Sequence, residues 1–167
     1  MSRPRRPEDL PACVAALRQV YAADGYPSRW PDDPAAWLTP PGEQAAWVAV
    51  AATGEVRGHV LLRRGSQDAP PWMQAEQLRP DGVAYVGRLF VTPPGRGSGA
   101  GAALLAAALA SARVEGWRVA LEVAAQARAA IRLYEREGWR RVATGQAAWQ
   151  DARGEHPTMH VYLAPPA

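Results

Sequence analysis

Glycines at the start of a helix let consecutive main-chain N–H groups converge on an anion without a dedicated charged side chain. The stretch Arg96, Gly97, Ser98, Gly99, Ala100, Gly101 and Ala102 has that composition. It follows an apolar run ending in Leu89, Phe90 and Val91, passes Pro93 and Pro94, and enters an alanine- and leucine-rich segment. Strand, glycine loop and helix start in that order can hold a pyrophosphate, with the Arg96 guanidinium adding charge. The plainer reading is a tight turn that lets the helix pack closely. The preceding strand, Arg96 and the repeated glycines together favour the anion site.

Other phosphate loops fit less well. A P-loop needs Lys followed by Ser or Thr at the helix start, where this chain has Ala100 to Ala103. A dinucleotide fingerprint can be laid over Gly97, Gly99 and Ala102, with Glu122 near the expected distance. That strand does not open the chain, however, and no second βαβ unit follows.

Among the side chains that move protons, Glu122 lies between Leu121 and Val123, on the opposite side of a short strand's alternation from Val119, Leu121 and Val123. It is a candidate base acting through water, against the plain reading of a surface charge. Tyr134 shares a helical face with Ala127, Ala130 and Ile131, a spacing that by itself describes an aromatic packed against a sheet. His156 and His160 have the spacing of helical metal ligands, but Pro157 and an extended context break that geometry, and no metal site is expected. His59, His156 and His160 read as core or loop-bonded histidines, with the alternative that His160, on the last strand, faces the acceptor cleft. Cys13, the only cysteine, falls at an apolar helical position and reads as an inert buried thiol.

The elements that must position these groups follow from periodicity. Leu10, Cys13, Val14, Leu17, Val20 and Tyr21 predict an amphipathic first helix, with Glu8 or Asp9 offering negative charge to its start. A proline-punctuated loop with Tyr26, Trp30 and Trp37 follows, with a short helix near 35–38. Residues 47–52 and 56–63 predict an antiparallel hairpin. A long connection over 65–82 contains a short helix near 72–78, and a strand spans Val83 to Val91. The helix after the glycine loop reaches about Arg113, a strand covers Val119 to Val123, and a helix covers Arg128 to Glu137. Gly138 is placed to end that helix in a left-handed conformation. Two further strands, within 140–149 and 157–163, complete a mixed three-layer α/β pattern.

A chain of 167 residues suits one domain, here 1–167 with residues 1–8 flexible. The net charge of +3 comes from dispersed basic residues, so nucleic acid is not an expected partner. The longest apolar tract, about Ala102 to Ala112, is too short to span a bilayer, and the charged N-terminus has no signal-peptide core. A cytoplasmic protein, monomeric or homodimeric and without a membrane partner, is expected.

Two blocks carry a family resemblance. Arg96, Gly99 and Gly101 meet the loop motif of the GNAT superfamily of N-acetyltransferases, and Ala130, Ile131, Leu133, Tyr134, Glu135, Gly138 and Trp139 match its second block. The resemblance implies acetyl-CoA as cosubstrate, with pyrophosphate on the amides of Arg96 to Ala102 and pantetheine along the backbone of Leu89, Phe90 and Val91. It also implies a GNAT-like three-layer mixed sheet, in which the central parallel strands Val83–Val91 and Val119–Val123 splay apart. Tyr134 would protonate the departing thiolate. Ala127 stands where the family commonly has Asn. The implied reaction is direct acetyl transfer to a primary amine, first of a small molecule and second of a peptide or protein. A non-catalytic acyl-CoA-binding module is the rival class. Tyr26, Trp30, Asp32, Asp33, Trp37, Trp72, Glu76 and Asp81 are candidates for the acceptor wall, each against a plain anchoring or surface role.

Overall fold

The computed structural model describes all 167 residues. Seven strands form one sheet in the order β1-β2-β3-β4-β5-β7-β6. They are β1 (Ser2–Pro4), β2 (Glu43–Val50), β3 (Val56–Arg64), β4 (Val83–Val91), β5 (Arg118–Ala124), β6 (Arg140–Gln146) and β7 (Thr158–Leu163). The helices are α1 (Leu10–Asp24), α2 (Pro34–Trp37), α3 (Pro71–Ala75), α4 (Ala100–Val114) and α5 (Arg128–Arg136). The mixed α/β class is therefore as expected, and no helix is long and apolar enough to cross a membrane. Two compact units divide the chain, Met1–Arg63 with Val86–Leu109 and Arg64–Tyr85 with Ala110–Ala167.

In the first unit, α1 turns Cys13, Ala16, Leu17 and Val20 into a core shared with Leu38, Val48, Val56 and Phe90. Burying each of the large aliphatic side chains stabilises the fold by about 1.5–3 kcal/mol. Tyr21, expected on the same face, is instead 36% exposed, its ring 5.3 Å from that of Trp30. The hairpin closes with Ala51 N–H donating to Glu55 O and Gly54 N–H to Ala51 O, and β2 pairs antiparallel with β3 from Glu43 opposite Arg63 to Val50 opposite Val56.

The N-terminal leader departs from the expected flexibility. Ser2–Pro4 pair antiparallel with Trp47–Ala49 of β2, and the basic side chains fix the strand. Arg3 forks onto both carboxylate oxygens of Asp9 at 2.7 and 2.8 Å, while Arg5 reaches Glu43 at 2.6 Å and Leu38 O at 2.8 Å. Asp9 stands at the start of α1, but its carboxylate binds Arg3 and the Arg6 N–H rather than the helix amides. The Arg3 hydrogen bond holds that carboxyl down at about 2.

In the second unit, β7 lies between β5 and β6 and pairs antiparallel with both. Trp72, Met73, Val83, Ala120 and Leu163 form its core. Helix α5 ends as expected: Gly138 has φ 83°, its N–H donates to Glu135 O, and Trp139 N–H donates to Tyr134 O.

Candidate active site

In the first unit, β4 runs into a 3-10 turn over Pro93–Gly95, where Thr92 N–H donates to Arg57 O at 2.8 Å and Gly95 N–H to Thr92 O at 2.8 Å. Gly95 is held so close to β3 that an added Cβ would lie 3.0 Å from Arg57 Cβ and 3.1 Å from Arg57 O. Gly97 and Gly99 follow with φ of 76° and 80°, a region that L-residues with side chains rarely adopt. The loop is thus clamped at its entrance and shaped by glycines beyond it.

The main-chain donors divide sharply. Arg96 N–H donates to Pro93 O at 3.3 Å, whereas the N–H groups of Gly97, Ser98, Gly99, Ala100, Gly101 and Ala102, in the turn and the first residues of α4, form no well-aligned hydrogen bond to another main-chain group. The first bond of α4 from the loop is Ala103 N–H to Gly99 O. An added Cβ at Gly97 or Gly99 would meet nothing within 4 Å. Beside the loop lies a cavity of about 390 Å³, lined by Ala49 to Ala52, Arg57, Gly95, Ser98, Gly99 and Ala100.

Arg96, read in the sequence as an added charge for the anion, is engaged within the protein. Both terminal nitrogens bond the Asp24 carboxylate at the end of α1, and Nε donates to Val91 O at 3.3 Å. Its side chain ties the loop to α1 and to the last residue of β4. Nothing in the local sequence marked Asp24, which lies 72 positions away.

The second unit carries the other two candidates. Tyr134 is 6% exposed, with its ring 6.0 Å from Trp139 and 6.2 Å from Tyr162. Tyr162 in turn donates to Glu135 Oε1 at 2.9 Å, which anchors α5 to β7. Glu122 is exposed on β5 opposite Val161, while Val119, Ala120, Leu121 and Val123 are buried, so the expected alternation holds at Glu122 but not at Ala120.

The histidines take structural roles. His160 Nδ1 lies 2.8 Å from Thr144 Oγ1, and His156 Nδ1 lies 2.9 Å from Ala147 O. No three His, Cys, Asp or Glu residues gather as metal ligands. His59 is fully buried and stacked on Phe90 at 5.4 Å. Its Nδ1 faces Arg88 O at 2.9 Å and its Nε2 faces Arg5 Nη1 at 2.8 Å. A carbonyl only accepts and a guanidinium only donates, so Nδ1 carries the proton, Nε2 accepts, and the ring is neutral.

Burial, with Arg5 and Arg88 nearby, pushes the His59 pKa down to about 4. Because the native value lies below the unfolded one, the unfolded chain takes up the proton first as pH falls. Stability is therefore complete above about pH 6.5 and declines toward pH 4, by on the order of 3 kcal/mol from this group. Urea midpoints measured between pH 7.5 and 4.5 should show that slope, flattened in His59→Gln. Equal slopes in both proteins would remove His59 as its source.

Several candidates for the acceptor wall have other partners. Asp33 caps α2 by accepting from Ala36 N–H at 3.0 Å, Glu76 is ion-paired with Arg140, and Asp81 pairs with Arg79 at 3.3 Å. Trp72 is a core residue of the second unit. Tyr26, Trp30 and Trp37 pack on the first core, with Arg18 over Trp30 at 4.7 Å and Arg88 over Trp37 at 4.0 Å. Asp32 is exposed.

Comparison with known proteins gives this arrangement a family. Residues 13–139 match the model of the acetyltransferase (GNAT) family. The chain belongs to that family. No curated protein sequence matches it. Among solved structures, a candidate phosphinothricin N-acetyltransferase is similar at 19% identity and TM-score 0.74, covering 100% of this chain and 98% of the other. Arabidopsis thaliana NAA60 in complex with acetyl-CoA is similar at 20% identity and TM-score 0.75, covering 98% and 96%. The Escherichia coli ribosomal-protein-S18-alanine N-acetyltransferase is similar at 17% identity and TM-score 0.70, covering 99% and 92%. At these identities the structures share the GNAT fold. The family match includes both the glycine loop and Tyr134.

Proposed function

We propose that this GNAT protein binds acetyl-CoA and transfers its acetyl group directly to a primary amine of a small molecule. The observation that carries the reading is the run of six main-chain N–H groups from Gly97 to Ala102, at the start of a helix, without a well-aligned main-chain acceptor. Together with two left-handed glycines and an open approach, that donor set fits a pyrophosphate. These amides would hold the diphosphate, and the backbone of Leu89, Phe90 and Val91 would lie along the pantetheine arm. Arg96 would act by fixing the loop through Asp24 rather than by touching phosphate.

Bound acetyl-CoA supplies an activated thioester. The protein's part is to hold the amine against it, which converts a bimolecular encounter into an oriented one. N–H groups near Leu89 to Val91 would stabilise the developing oxyanion, and the Tyr134 hydroxyl would give a proton to the departing thiolate. Glu122, exposed on its strand, or solvent itself would take the proton that the ammonium must lose. The likenesses include proteins named for a small acceptor and for protein acceptors, so a peptide amine is the second reading.

Mass spectrometry of reactions containing acetyl-CoA and a mixed panel of small amines and peptides tests this, with release of free coenzyme A thiol followed in parallel. Acetylated small amines are expected. Acetylation of peptides alone would move the assignment to protein modification, and binding of acetyl-CoA without transfer would make the chain a regulatory module.

A further inference from the structure

The end of α2 and the middle of β4 hold a cation whose placement the binding of acetyl-CoA leaves unexplained. Seven arginines of this chain, among them Arg3, Arg5 and Arg96, have a carboxylate within 4.0 Å. Arg88 has none, although it is half-buried and burial lowers the pKa of its guanidinium. Leaving a partly desolvated charge without a counter-ion is unfavourable, and the proximity of Arg63 adds to it.

The chain nevertheless fixes this side chain with care. Arg88 has φ 51°, which for a residue with a side chain stores on the order of 1 kcal/mol of strain. Its carbonyl is taken out of the regular strand pattern by the His59 Nδ1 proton at 2.9 Å. Its Nε donates to Trp37 O at 3.1 Å, and the guanidinium lies 4.0 Å over the Trp37 ring. Stack and hydrogen bond together leave the planar group one orientation. Both terminal nitrogens have no hydrogen bond within the protein and both remain open to solvent, because neither is among the buried polar atoms lacking a partner. A guanidinium held by Nε and by one face, with its two terminal nitrogens outward, presents the fork that binds a carboxylate with two hydrogen bonds.

The position matters as much as the geometry. Arg88 immediately precedes Leu89, and Trp37 belongs to the loop and short helix proposed as the acceptor wall. Asp33, a candidate in the sequence for attracting an ammonium there, is engaged as the cap of α2. A simple alkylammonium placed beside Arg88 would meet its positive charge. An amine carrying its own carboxylate would neutralise it.

We propose that Arg88 is a specificity-determining residue that binds the carboxylate of the acceptor, so that the acceptor is a small amine of amino-acid type. This rests on the acetyl-transfer reading and narrows it. The test compares a set of α-amino acids, each with its carboxamide and its decarboxylated amine, by kcat/KM for acetylation and by calorimetric binding in the presence of coenzyme A. The acid of the best series should exceed its amide by at least about 30-fold, the scale of one charge-assisted pair. Arg88→Gln should bring that ratio close to one while leaving the KM for acetyl-CoA within about threefold, and Arg88→Lys should keep part of it. If Arg88→Gln fails to fold, the wild-type acid-to-amide ratio and Arg88→Lys still decide. Amides, or C-terminally amidated peptides, acetylated as well as the acids would overturn the role of Arg88 but leave acetyl transfer intact. Absence of acetyl-CoA binding or of thiol release with every amine would overturn both.

Discussion

Tyr134→Phe should reduce acetyl transfer about 100-fold at saturating acetyl-CoA, the lower end of what a positioned general acid contributes. The substitution keeps the ring that packs 6.0 Å from Trp139 and 6.2 Å from Tyr162, so the fold should lose no more than about 1 kcal/mol. The KM for acetyl-CoA should change little, because the hydroxyl is assigned to the leaving thiolate rather than to holding the cofactor. Steady-state kinetics with thermal unfolding on the same preparation separates these effects. A phenylalanine enzyme that retains the wild-type rate across the pH range would exclude the hydroxyl from the reaction.

Gly99→Val should weaken coenzyme A binding by at least 100-fold. The backbone at this position has φ 80°, and a β-branched residue is strongly disfavoured there, so the variant must strain or reorient the peptide. The added Cβ meets no atom within 4 Å, and the core should therefore be undisturbed, with a stability loss of about 1–2 kcal/mol. Turning away two N–H donors from a charged phosphate removes about 3–6 kcal/mol, which is 10² to 10⁴ in affinity. Isothermal titration with coenzyme A, alongside circular dichroism, measures both quantities. Wild-type affinity in a folded valine variant would move the pyrophosphate elsewhere.

The parts of this molecule most legible in the sequence are those specified locally. The β4 boundaries, Val83 to Val91, follow from an apolar run interrupted only at Gly87 and Arg88, and the left-handed Gly138 follows from its place after a helical period. The glycine loop could be located because its composition reports backbone conformation directly. What escaped depends on partners remote in the chain. The leader reads as a mobile basic tail, since nothing near Arg3 and Arg5 predicts that Asp9 and Glu43 will fix them and make a strand of Ser2–Pro4. Arg96 reads as a phosphate ligand because Asp24 cannot be found from the loop. Arg88 reads as one residue of an unbroken strand, as its left-handed turn is imposed by His59 and Trp37, 29 and 51 positions away. Asp33, Glu76 and Asp81 read as unpaired charges for the same reason, since a carboxylate's partner is a property of the fold.

Cys13 is wholly enclosed by the α1 core, and burial pushes its thiol up to about 11. A thiol-reactive chromophore added to the native protein should find almost no thiolate to modify, so the colour that develops during turnover would report coenzyme A alone. The same silence makes the wild-type chain a ready background for spectroscopic labels: one cysteine introduced at an exposed site, such as Val114, could be tagged without first removing the native one.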